Sequence, residues 1–162
     1  MNTDINIRQA DITNRLSALT HYMGAKATED SGAFERVATI DANDELFSLQ
    51  WGQVVQSLML IVKPFVSSVA YSQTDPDTGT VYPGIFLTLS MPSNWDSSLS
   101  VAVNQAASNN VFANLAALWF RIVDKNTVQE QMADALASAN ELRMLLHHKC
   151  RPELPSSYVS NS

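Results

Sequence analysis

Charge is what this chain has least of. Asp, Glu, Lys and Arg make up only 16% of it, against about 25% in an ordinary soluble domain. Between Asp96 and Arg121 there is no charged side chain, and Leu46 to Val62 is a second such stretch, 17 residues long. A monomer needs charged surface to stay dispersed in water, so the shortage predicts surface hidden in an assembly. Positive charge is scarcest: 10 Lys and Arg stand against 16 Asp and Glu, for a net charge of −6. That excludes a general nucleic-acid binder, which needs a basic stripe for phosphates. A single cysteine, Cys150, excludes an internal disulfide and a thiolate zinc cage. Besides the central stretch, the longest uncharged apolar run is the 17-residue one; it contains Gln50, Gln53 and Gln56 and falls short of the about 20 mostly apolar residues of a membrane span, so no span is expected. MNTDINIRQADITNRL is acidic early and has no apolar core, so it does not read as a signal peptide.

What is present is helical periodicity. Ile5, Ile12, Leu16, Leu19 and Met23 share one stripe, which predicts a first helix over 1–24, capped by Thr3 or Asp4 and ended at Gly24. The connection 25–42 carries Phe34, Val37 and Ile40, which fit either a helical turn or an irregular strap. A second helix starts at Asn43 or Asp44, runs through Phe47, Trp51, Val54, Leu58, Ile61 and Phe65, and kinks or stops near Pro64. Ile85, Leu87, Leu89 and Met91 then alternate with Phe86, Thr88 and Ser90, a strand period. Their expected partner is Val69 to Gln73, joined through the turn residues Asp75 to Thr80. An isolated hairpin is marginal, so this one must pack on the helices or on another subunit.

The uncharged stretch after Asp96 predicts a long helix to Val123, capped by Ser93 or Asp96, with Val101, Ser108, Phe112, Leu115, Trp119 and Ile122 on its stripe. Thr127 and Glu130 have capping-box spacing, which places a break at Lys125-Asn126; the rival reading is one helix over 97–149. The last helix carries Val128, Met132, Ala135, Ala139, Leu142 and Leu146. Its end gathers Arg143, His147, His148, Lys149 and Arg151, where the helix dipole favours positive charge.

Little here is reactive. His147 and His148 point about 100° apart on a helix and cannot share one ion; His147 and Cys150 can share a face, but His21 is the only other histidine. A basic helix end is the simpler reading. Asp75, Asp77 and Thr78 resemble the opening of a calcium loop, which Pro76 and the missing closing Glu spoil. No phosphate-cradling glycine spacing occurs around Gly79 and Gly84. No cofactor and no metal are expected. The polar but uncharged faces say more. Interface cores are depleted in charge and rich in aromatics, so Gln50, Gln53, Tyr82, Phe86, Asn104, Asn110, Asn114 and Tyr158 are the candidate interface residues. Pairing of these faces inside one bundle is the competing explanation.

The expected architecture is mainly α: a four-helix bundle-like domain over 1–151, one β-hairpin (about 69–91) inserted between helices two and three, and a polar tail over 152–162. This layout resembles the small helical head–tail connector or adaptor proteins of tailed phages and prophages, over about residues 5–150. The resemblance implies a non-enzymatic ring subunit in a virion or bacterial cytoplasm. Its partners would be copies of itself and neighbouring virion proteins, with ring contacts through Asp75–Met91 and the tail. The alternative is a helical binding module holding a small apolar ligand or a partner protein, the ligand among Trp51, Trp95, Trp119 and Phe120. An enzyme using His147, His148 or His21 is the third class.

Overall fold

The computed structural model describes residues 1–26, 45–123 and 128–150. Phe34, Val37, Ile40, the predicted helix start at Asn43 or Asp44, Thr127 and the tail lie outside them, as do the side chains of His21 and Met23. Strand β1 (Asn2–Arg8) leads into helix α1 (Gln9–Lys26). Helix α2 (Glu45–Val62) is followed by β2 (Val66–Thr74), β3 (Val81–Ser90), α3 (Ser100–Val123) and α4 (Val128–His147). The described chain is mainly helical, with a three-stranded antiparallel sheet in the order β1-β3-β2.

β1 overturns the expectation of a helix from the first residues, and with it the caps at Thr3 and Asp4. Thr3, Ile5 and Ile7 are buried while Asn2, Asp4, Asn6 and Arg8 are exposed. That is a period of two, in β-branched residues that suit a pleated surface. Ile5 and Ile12 are seven apart and fit a helix; Ile7, only 2% exposed, does not. The strand sits where the hairpin needs it. β3 is central, with Ile5 opposite Leu87 and Ile7 opposite Ile85 on one side, and Val69 opposite Leu87 on the other. Helix α1 then runs past Gly24 to Lys26.

The hairpin itself lies where the turn residues put it. Asp75 N–H donates to the Thr80 carbonyl, Gly79 N–H donates to the Asp75 carbonyl, and Gly79 takes the positive φ that the turn requires (69°). Ile85, Leu87 and Leu89 face the core, fully buried or nearly so. α2 stops at Val62, and Pro64 sits in the short 3-10 turn Lys63–Phe65 that follows.

α3 is the hub. α4 lies along it, and α1, α2 and β1 also pack on it. This explains the missing charge: a helix apolar around most of its circumference is a buried helix. It also corrects the predicted stripe. Val101 and Ile122 are 82% and 56% exposed, and Phe112 and Trp119 are half-buried. The buried positions include Val103, Ala106, Ala107, Val111, Leu115, Ala116 and Phe120, whose alanines admit close neighbours. Asp96 caps a 3-10 turn, Ser97–Leu99, rather than α3 itself; its carboxylate accepts from Ser98 N–H. In α4, Ala135, Ala139, Leu142 and Leu146 are buried as expected, but Met132 is half exposed. The indole N–H of Trp95 donates to the Leu145 carbonyl at 2.9 Å and ties down the end of α4.

Candidate functional site

The expected interface residues separate into two groups. Asn104, Asn110, Asn114 and Gln50 make hydrogen bonds within their own chain. Asn104 Oδ1 accepts from Asn6 N–H at 2.8 Å and so covers part of the free edge of β1. Asn110 is buried; its Nδ2 donates to the Ala135 carbonyl at 3.2 Å and lies 3.5 Å from Ser138 Oγ. Asn114 Nδ2 donates back to the Asn110 carbonyl. Gln50 is also buried, and its Nε2 donates to the Leu118 carbonyl at 3.3 Å. Gln50 and Asn110 thus stitch the three helices α2, α3 and α4 together. Each leaves its amide oxygen buried without a hydrogen-bond partner among the described residues.

The second group stands apart. Phe86 is 9% exposed, between Asn6 and Ala70 on the neighbouring strands. Tyr82 is half-buried under the Arg8 guanidinium, 4.2 Å above its ring. Gln53 is exposed on α2. Tyr158 lies outside the described residues.

Because α2 and α4 both rest on α3 and touch each other little, a cleft of about 420 Å³ opens between them. Asn110 and Asn114 form its floor, and Leu60, Ile61, Met132 and Leu136 its walls. Leu60 is 76% exposed and Leu136 62%. No tryptophan lines this cleft. Trp95 is buried, and Trp51 stacks on Phe47 at 6.4 Å. The predicted stripes did not place Leu60 and Leu136 on a common surface. Their shared apolar wall follows only from the way two helices straddle a third.

The reactive-looking residues do not converge. His147, His148, Lys149 and Cys150 are exposed at the end of α4, with the Phe65 ring edge-on to His147 at 5.4 Å. Among the described residues no group of three or more His, Cys, Asp or Glu is placed to hold a metal ion. In the hairpin turn Asp75 Oδ1 accepts from Asp77 N–H at 2.9 Å, and this bond above all holds the Asp75 carboxyl below its ordinary range. Asp75 therefore acts as a turn residue. No described helix is long and apolar enough to cross a membrane.

No protein-family model, curated protein or solved structure matches the chain.

Proposed function

We propose that this protein is a non-enzymatic structural subunit that assembles with copies of itself, in the manner of a head–tail connector or adaptor of a tailed phage. The observation that carries the reading is the outer surface of α2 and α4. Leu49, Leu60, Leu136 and Met144 are 62–76% exposed, and α2 has no charged residue between Glu45 and Lys63. Large apolar side chains exposed on a charge-poor helix, as Leu49 and Leu60 are on α2, and facing another across a cleft, as Leu60 faces Leu136, mark a site of association. The hairpin adds a second projecting element, since β2 is exposed along nearly its whole length. Electron microscopy of the concentrated protein tests the connector form. Closed rings are expected; fields of single small particles would overturn it.

The cleft between α2 and α4 favours the second reading, a module that binds a small apolar ligand. Its apolar walls over an amide floor are the usual make-up of a ligand site. Saturable binding of an apolar dye, abolished by Leu136→Glu, would support it over self-assembly.

A further inference from the structure

α2 carries two faces, each at helical spacing. One is turned inward: Phe47, Val54, Leu58 and Val62 are buried and Trp51 half-buried. The other runs Leu46, Leu49, Gln53, Gln56 and Leu60, at intervals of three, four, three and four, and continues to Lys63, the first residue of the 3-10 turn that follows. At about 100° per residue those within α2 form one ribbon on the side away from Leu58. All are exposed, Leu49 by 67% and Leu60 by 76%. Residues at three-four spacing are those that meet along the axis of a two-helix coiled coil; here Leu46, Leu49 and Leu60 supply the apolar layers and Gln53, Gln56 and Lys63 the polar ones.

The flanking charges select both partner and direction. Glu45 and Lys63 stand exposed at opposite ends of the uncharged stretch. If two copies paired in parallel, Glu45 would meet Glu45 and Lys63 would meet Lys63. Antiparallel pairing brings each Glu45 to the end where Lys63 of the second copy lies. The layers then match: Leu49 meets Leu60 of the second copy, and Gln53 meets its Gln56. The leucine layers exclude water. The glutamine amides, each both donor and acceptor, pair across the axis without stranding a charge, as polar residues do where they set register.

We propose that α2 is a self-docking helix, its outer seam pairing antiparallel with the same seam of a second copy in a twofold contact. This rests on the self-assembling reading above and names one surface and its partner; a twofold contact closes a pair, so the ring of that reading needs a second, heterologous surface as well. The contact is isologous, as in most closed homo-oligomers. The open edge of β2 is the competing surface. Its ladder to β3 shifts register between Val66 and Ser68 and again between Ala70 and Ser72, and such irregularities blunt an edge against further pairing.

Disulfide trapping tests the direction. Two full-length chains, Leu49→Cys and Leu60→Cys, each also Cys150→Ser and differently tagged, are mixed and oxidised. The cross-link from position 49 to position 60 is expected, and like-to-like cross-links are expected to be weak. Dominant 49-to-49 and 60-to-60 products would overturn the antiparallel seam. Glu45→Lys alone is expected to weaken association by about tenfold, and Glu45→Lys with Lys63→Glu to restore it. Circular dichroism checks that the variants remain folded. An assembly that persists with no cross-link between the two seams would overturn this proposal and leave self-assembly standing on another surface. A wild-type chain that stays single at every concentration would overturn both.

Discussion

The buried amides are the residues where stability and specificity part. Gln50 donates one long bond to the Leu118 carbonyl, which already belongs to a helix, and its own oxygen is buried without a partner among the described residues. Leaving a buried acceptor unpaired costs about 1–3 kcal/mol. Gln50→Met keeps the volume and removes that acceptor, so it should be neutral or stabilising by up to about 1 kcal/mol in urea denaturation. Gly84 is the opposite case. A Cβ there would fall on the Ile7 carbonyl oxygen and close to Arg8 Cα, both backbone atoms of the paired strand. Gly84→Ala should destabilise the fold by about 2–3 kcal/mol, read in the same experiment. Asp96 supplies a pH signature. Ser98 Oγ and then Ser98 N–H donate to its carboxylate and hold its pKa below the ordinary 3.8. A depressed carboxyl contributes stability above its unfolded pKa and loses it as pH falls through the folded value. Melting temperatures of the wild type and Asp96→Asn, followed downward from about pH 5, should converge as the medium turns acid.

The elements show what a linear reading can and cannot reach. The β2–β3 hairpin, the stop of α2 near Pro64 and the buried stripe of α4 were legible because turn chemistry, proline and four-three spacing are local signals. β1 was missed although Thr3, Ile5 and Ile7 alternate with polar residues, because Ile5 and Ile12 satisfy a helical period as well; pairing with the open edge of β3 settles the choice. The stripe on α3 came out rotated for a related reason. A helix with neighbours on several sides has no single apolar face, and its alanines, buried at Ala106, Ala107 and Ala116, carry little hydrophobic signal. Of the expected interface residues, Asn110 and Gln50 are occupied within the helices, whereas Gln53 stands on an open face. Nothing local in the sequence distinguishes them. The closure of the helical layer can be tested at Trp95. Trp95→Phe keeps the ring in the core and removes the donor to the Leu145 carbonyl. It should cost about 1 kcal/mol and raise amide exchange first in the last turns of α4, a pattern that hydrogen exchange resolves.

On the scale of the whole molecule, the shortage of charge has two causes. α3 lacks charge because its own chain surrounds it. The outer face of α2 has no such cover among the described residues: Leu49 and Leu60 are largely exposed on it. One uncharged helix is thus explained by the fold, and the other is left for an assembly to explain. The most direct test is the mass of the wild-type particle in solution, by sedimentation equilibrium over a wide concentration range. Self-assembly predicts a mass at a multiple of 17.8 kDa, falling toward one chain on dilution or on Leu49→Glu with Leu60→Glu. A mass of 17.8 kDa at every concentration would contradict it.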